Sequence, residues 1–209
     1  MAMMIRTGAA ALAGLALLAC SEAIEGPAPT TPAAAAGEVI ASAETALDRQ
    51  DAERLQLQKP AFEAALAAGD ASMLNELADT GNAFALHHRA RQRIDSHDFM
   101  LQQAGFEDME EAADLGLPEA LVWVGERKAY GKDGYKLQPN SGLMMMERAA
   151  RRGHLEAMMA VAGMYESDAY MADRKKARAW YERAAEAGSA DAREALSRLE
   201  ATAAERRTP

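Results

Sequence analysis

The residue types that build metal centres and hydrolytic sites occur in this sequence, but their spacing does not bring them together. His87, His97 and His154 are far apart, and no two histidines have the separation that places two ligands on one helix face. A Ser-His-Asp triad can be recognised only from its geometry. We therefore predict no catalytic residue, no metal site and no cofactor, and a protein that is not an enzyme.

Methionine is the other residue type here that could do chemistry, because thioether sulfur binds Cu(I). The sequence has 13 methionines, and most of them follow Cys20. Three consecutive residues cannot all face the interior of one helix, so part of the run Met144–Met146 is expected to be exposed. Methionine also fills irregular gaps in a core and serves adaptable binding surfaces. We favour the core role, place a binding surface second, and keep copper handling as a weaker alternative. The methionines concerned are Met144, Met145, Met146, Met158, Met159 and Met164.

Aromatic residues in the middle of the chain are the candidates for contact with a partner. In a helix over residues 118–130, Trp123, Glu126 and Tyr130 fall at i, i+3 and i+7 and share a face. The loop that follows contains Gly-Lys-Asp-Gly, which lacks the Ser or Thr after Lys of a phosphate-binding loop and is typical of a turn. A second tyrosine, Tyr135, ends this loop. We predict a protein-binding role for Trp123, Glu126, Tyr130 and Tyr135, with Trp123 in the core between repeats as the alternative.

The charge of the chain restricts its partners. The formal net charge is −9, and Arg6 is the one charged residue before Cys20, so the chain from Cys20 onward has 22 basic and 32 acidic residues. Such an acidic surface repels nucleic acid. The one basic cluster, residues 87–93, does not place its three arginines on one helix face, which indicates a solvated helix surface. Contact with an acidic partner or a lipid headgroup is the alternative. We predict no nucleic-acid partner.

The first twenty residues predict export. Arg6 precedes an apolar run over residues 8–19, which is shorter than the ~20 residues that span a bilayer and is typical of a secretory signal. The run ends Leu17-Leu18-Ala19-Cys20, and Cys20 is the sole cysteine. This ending resembles a bacterial lipoprotein signal. The resemblance implies cleavage after residue 19, lipidation of Cys20 and an anchor in the membrane. Ser21 in place of Asp favours the outer membrane, with the protein facing the periplasm.

Beyond Cys20, the pattern changes twice. Residues 20–37 are rich in Pro and Ala and predict a flexible tether. Residues 38–75 have a helical pattern, with Pro60 opening one helix and Asp70 capping another, and are expected to form an N-terminal helical cap. A short segment of related sequence then recurs, ending each time in Gly. These glycines, Gly81, Gly116, Gly153 and Gly188, stand 35, 37 and 35 residues apart.

The recurring segment predicts pairs of antiparallel helices. A glycine ends one helix in a left-handed conformation, and Asn82, Pro118 and Ser189 suit the start of the next. Paired alanines before each glycine let the two helices approach closely. Such pairs bury their apolar faces only against their neighbours, as in a solenoid.

The repeats resemble the Sel-like repeat family, which is related to the tetratricopeptide repeats. The resemblance is carried by Lys176-Ala177, Trp180-Tyr181, Ala184-Ala185 and Gly188, and by Tyr165 in the preceding helix. It implies a short α-solenoid of about three to four repeats over residues 76–203. It also implies a concave binding surface lined by the first helix of each pair. The composition, rich in alanine and with 5% aromatic residues, independently indicates an all-α fold. Residues 204–209 are predicted to be a disordered tail.

These observations predict a membrane-anchored lipoprotein of the cell envelope that acts as a scaffold. Its partner would be another envelope protein or a peptide, bound at the concave surface. Two alternatives remain open at this point. The chain could be a cell-wall-associated enzyme or a regulator of peptidoglycan enzymes, or, as the weaker possibility, it could handle copper through its methionines.

Overall fold

The computed structural model describes residues 32–167 and 172–205, with side chains described over 45–167 and 172–202. The chain divides into two compact units, residues 1–40 and 41–209. Of the first unit, the structure describes only the start of a helix, over residues 32–40. The predicted signal peptide, Cys20 and the tether up to residue 31 lie outside the described residues, as do residues 206–209 of the predicted tail.

The described residues form helices and turns, without strands, so the predicted all-α class is confirmed. Helix α1 begins within the segment predicted as a tether and continues through Pro60, which does not open a helix as expected. The helices are α1 (Pro32–Ala68), α2 (Ala71–Asp79), α3 (Ala83–Ile94), α4 (Phe99–Asp114), α5 (Pro118–Tyr130), α6 (Pro139–Arg151), α7 (Leu155–Ser167), α8 (Arg174–Glu186) and α9 (Ala190–Glu205).

Helices α2 to α9 form four pairs, α2–α3, α4–α5, α6–α7 and α8–α9, each joined by one of the four recurring glycines. All four glycines have positive φ, between +81° and +103°, a conformation that other residues adopt only at a cost. The second helix of each pair packs against the first helix of the next pair. The predicted short solenoid of antiparallel helix pairs is therefore confirmed. Helix α2 crosses residue 75, where the sequence places the end of the N-terminal cap.

The other predicted helix starts, at Asp70, Asn82, Pro118 and Ser189, are confirmed. Asp70 accepts a hydrogen bond from the backbone N–H of Met73 at 3.0 Å, and Asn82 caps α3 in the same way. Pro118 occupies the first turn of α5, and the Ser189 hydroxyl accepts from the N–H of Ala192 at 3.1 Å. Each cap satisfies a donor that the helix itself leaves unpaired.

The core is narrow because small residues line it. The paired alanines before the glycine turns are fully buried in the second and third helix pairs, as the sequence predicts. Helices α5 and α6 cross at Gly125 and Gly142, where a methyl group on Gly142 would lie 2.5 Å from the backbone N of Ala129. Backbone contact at this crossing fixes both ends of the loop between them, residues 131–138, hereafter the α5–α6 loop.

Helix α1 is held to the repeats by a buried charge network that the sequence does not predict. The carboxylate of Asp51 is fully buried, and Arg54 Nη2 lies 2.8 Å from it. Arg148 of α6 also pairs with Asp51, and Arg54 donates to the carbonyl of Leu115 at 3.2 Å. The Arg152 guanidinium donates to the Gly116 carbonyl. Buried charges are stable only when paired in this way, so the network fixes the register of α1 on the repeats.

Candidate protein-binding site

The structure brings two of the four predicted binding residues into direct contact. The rings of Trp123 on α5 and Tyr135 in the α5–α6 loop lie 6.3 Å apart, edge to face. Glu126 is partly exposed on the same helix. Tyr130 is 51% exposed at the end of α5, with the Lys132 ammonium 5.1 Å from its ring centre. These four residues therefore border one face around the α5–α6 loop.

A third aromatic residue, which the sequence patterns do not single out, completes the cluster. Phe106 on α4 lies 5.7 Å from Trp123 and 6.3 Å from Tyr135, measured between ring centres. Helix α4 is the first helix of its pair and α5 is the second, whereas the repeat pattern predicts that first helices line the binding surface. Both helices contribute here. Edge-to-face and tilted ring pairs at these distances are favourable beyond their buried area, so the cluster is a rigid platform.

Trp123 is half-buried because it packs against the core and a cation from its own helix covers its ring. The guanidinium carbon of Arg127 lies 3.4 Å from the centre of the Trp123 ring. Arg127 Nε is also 2.9 Å from a carboxylate oxygen of Asp133, although the N–H is not well aligned for a hydrogen bond. We regard the contact as an ion pair. The stack and the ion pair together tie the α5–α6 loop to α5.

Asp133 has an unusual backbone conformation. Its φ of 51° is the only positive value at a residue other than glycine in the described part of the chain. Asp tolerates this left-handed region better than most residues. Glycines on either side, Gly131 and Gly134, also have positive φ. The loop therefore turns tightly and holds the Asp133 carboxylate beside the aromatic cluster.

A groove lies between α4 and the α5–α6 loop, with a volume of about 270 Å³. We call it the α4 groove. Its lining combines two aromatic rings with three carboxylates. The lining residues are Gln103, Phe106, Glu107, Glu110, Asp133, Gly134 and Tyr135.

The Tyr135 hydroxyl reports the electrostatics of this groove. It is buried without a well-oriented hydrogen-bond partner among the described residues. Burial, together with the negative charge of Glu110, raises the pKa of Tyr135 well above its ordinary value, and the charge of Arg127 opposes this only in part. Around Tyr135, the groove is therefore an environment that disfavours added negative charge.

Exposed apolar side chains lie on the two elements that form the groove. Phe99 and Met100, at the start of α4, are 73% and 71% exposed. Leu137, in the α5–α6 loop, is 62% exposed. Scattered apolar residues on a surface are ordinary, but a group beside a groove is typical of an interaction site.

The basic cluster over residues 87–93 is not the solvated surface that the sequence predicts. Arg89 makes a two-pronged ion pair with Asp108 of α4, with both N–O distances at 2.9 Å. Arg93 donates to the same carboxylate at 2.7 Å. Asp108 is buried, and its charge is offset by these two cations. The cluster therefore joins α3 to α4 and is largely occupied within the chain.

The methionines serve mainly as core residues. Met146, Met158 and Met164 are buried, and Met145 and Met159 pack against the core. Met144 is the exposed member of the run, at 61%. Among the described residues, no group of His, Cys, Asp and Glu is arranged to hold a metal ion. No helix within the described ranges combines the length and apolar character of a membrane span.

Comparisons with solved structures identify the repeat fold. No family model and no curated protein matches the sequence. Among solved structures, a Sel1 repeat protein from Oxalobacter formigenes is 28% identical, with a TM-score of 0.55 over 61% of this chain and 97% of that one. A protective antigen with an SLR fold from uropathogenic Escherichia coli, c5321, shares the fold at 20% identity and a TM-score of 0.54. The match covers 69% of this chain and 32% of the antigen, so this chain spans about a third of it. With its four glycine-turned helix pairs, the chain has the same helical-repeat fold as these Sel1 and SLR proteins.

Proposed function

We propose that this protein is a helical-repeat scaffold that binds another protein or a peptide at the face formed by α4, α5 and the α5–α6 loop. The observation that carries the proposal is the aromatic cluster of Phe106, Trp123 and Tyr135 beside exposed apolar side chains. Rigid aromatic residues at a surface anchor partners at little entropic cost.

Binding accounts for this arrangement better than catalysis does. Two charged pairs beside the cluster link residues of the scaffold to each other, Arg127 with Asp133 at 2.9 Å and Lys128 with Glu110 at 3.6 Å. Catalytic acids and bases are typically held in clefts with strongly perturbed pKa values. We therefore infer a non-enzymatic role, with a partner recognised by shape and charge.

Photo-crosslinking in intact cells tests the scaffold function. A crosslinking amino acid replaces Glu126 on the proposed face, and a control replaces Arg178 on α8, an exposed position remote in sequence. We expect a discrete protein adduct at position 126 and none at position 178. Equal adducts at both positions, or none at either, would contradict the proposed face.

We further propose that the scaffold is a lipoprotein, anchored through Cys20 in the outer membrane and facing the periplasm. The support is the sequence Leu17-Leu18-Ala19-Cys20 after a short apolar run, with Ser21 following the cysteine. Two or more acyl chains hold a protein stably on a bilayer. Growth with a clickable fatty acid should label the wild-type protein and leave Cys20→Ala unlabelled. Equal labelling of the two would exclude lipidation at this cysteine.

A further inference from the structure

We propose that the partner presents a basic segment with an adjoining apolar side chain, and that the α4 groove receives the basic part. This inference rests on the proposed function and names the chemistry of the partner. The observation that supports it is the combination of two aromatic rings and three carboxylates in the lining of the α4 groove, with exposed apolar residues at the start of α4.

The first step is the charge of the groove. Its lining includes Glu107, Glu110 and Asp133 and no cationic side chain. Two cations border it. Arg127 is close to Asp133, at 2.9 Å, whereas the Lys128 ammonium is 3.6 Å from Glu110, beyond ordinary hydrogen-bond length. The three lining carboxylates exceed the two cations that pair with them by one negative charge, whereas Lys132 and Lys136 belong to the same loop but do not line the groove. The formal net charge of the whole chain is −9. A cationic segment is the complementary occupant.

The second step is the aromatic floor. Arg127 shows how this cluster holds a cation, since its guanidinium stacks on Trp123 and pairs with Asp133 at the same time. The rings of Phe106 and Tyr135 line the groove beside Glu110 in a comparable combination of aromatic surface and carboxylate. Cations bind to such surfaces through the ring quadrupole as well as through the carboxylate charge. A lysine or arginine of the partner fits this environment.

The third step is the apolar end. Met100, Gln103 and Glu107 are three and four residues apart on α4, so they follow one another along one face of the helix. Met100 is 71% exposed and its neighbour Phe99 is 73% exposed. The face therefore changes from apolar at the start of α4 to acidic about two turns later. A partner segment with an apolar residue about 10 Å from its basic residues would match both parts.

Peptide binding measured by fluorescence anisotropy tests the inference. One labelled peptide combines leucine with lysine, and its counterpart has glutamine in place of each lysine. We compare the purified protein with Glu107→Gln/Glu110→Gln and with a matched control, Glu186→Gln/Glu194→Gln, which removes the same charge from exposed positions of α8 and α9. We expect the lysine peptide to bind more tightly than the glutamine peptide. The groove variant should weaken the lysine peptide about five- to tenfold, on the scale of two partly exposed ion pairs.

Each outcome decides the inference. A loss confined to the groove variant supports it, and the difference should shrink at high salt because exposed charges are screened. An equal loss of affinity in both double variants would show that the lysine peptide is attracted only by the net charge of the protein, and would overturn the groove as its binding site. Equal binding of the two peptides, or no binding of either, would overturn the basic partner. If the peptides fail in this way but the photo-crosslinker at position 126 still gives a position-specific protein adduct, the scaffold function is retained and only the basic chemistry of the partner is rejected.

Discussion

Replacing Gly142 by alanine would add a methyl group where α5 and α6 contact each other through their backbones. The new Cβ would lie 2.5 Å from the backbone N of Ala129 and 2.7 Å from the Ala129 Cβ, and still closer to the Gly125 carbonyl oxygen. Backbone atoms cannot turn aside as a flexible side chain can. The two helices must therefore separate, and the α5–α6 loop that joins them must move with them.

The expected magnitude follows from two opposing terms. Alanine is favoured over glycine within a helix by about 0.5–1 kcal/mol. Overpacking a filled site costs typically about 1–3 kcal/mol, and a clash with backbone on two sides belongs near the upper end. Taking the two together, we expect Gly142→Ala to lower the free energy of unfolding by about 2 kcal/mol.

Gly163 provides a matched control in α7. It is also a helical glycine, but a Cβ added there would meet no atom within 4 Å. Gly163→Ala should therefore gain the higher helix propensity of alanine without a clash and raise the free energy of unfolding by about 0.5–1 kcal/mol. Urea denaturation followed by circular dichroism measures both variants. The reasoning would be refuted if the two substitutions shifted the free energy of unfolding in the same direction.

Three further predictions concern the turns and the buried polar groups. Gly153→Ala should lower the free energy of unfolding by about 1–2 kcal/mol, because of its positive φ alone. Gly116→Ala should lower it clearly more in the same urea assay, because the new Cβ would lie 2.6 Å from the Asp51 carboxylate. Burial and a hydrogen bond to a carboxylate raise the pKa of Tyr181 from 10.0 to about 12. As the pH rises, the unfolded chain therefore loses the Tyr181 proton before the folded chain does, and the free energy of unfolding should fall between pH 10 and 12. The fall should be less steep in Tyr181→Phe. Asp133→Ala should lower the free energy of unfolding by about 1–2 kcal/mol, because alanine resists positive φ. In thermal denaturation, the stability of Asp133→Gly should remain closer to that of the wild-type protein.

Local signals in the sequence predict the repeat architecture well. A left-handed turn needs glycine, and an N-cap needs a short polar side chain, so Gly116 and Asn82 carry information that does not depend on distant residues. Successive glycine turns stand 35, 37 and 35 residues apart, which leaves room for two helices between them. The pairing of helices and the all-α class follow from this local pattern.

Contacts between distant residues cannot be predicted in the same way. Asp51 pairs with Arg148, 97 residues away, and Arg89 pairs with Asp108 between two neighbouring helix pairs. A single sequence does not show which of its 32 acidic residues meets which cation. The continuation of helix α1 through Pro60 could not be predicted for the same reason. Tertiary contacts along α1 outweigh the local preference of proline for the first turn of a helix.

The candidate site is predicted by the sequence only in part. Trp123, Tyr130 and Tyr135 stand out because they are aromatic and close in sequence, and the structure brings Trp123 and Tyr135 together. Phe106 does not stand out in this way because it belongs to the other helix of the pair. The four-residue spacing of Trp123 and Arg127 is a usable signal for their stacking.

The most direct test of the scaffold function places a photo-crosslinking residue at Gln103, which lines the α4 groove, and compares its adducts in cells with those from position 178. We predict one discrete protein adduct at position 103, absent at position 178 and strongly reduced when Trp123→Ala removes the aromatic platform. An adduct at position 103 that persists unchanged in Trp123→Ala, or the same adduct at both positions, would contradict the scaffold function at this face.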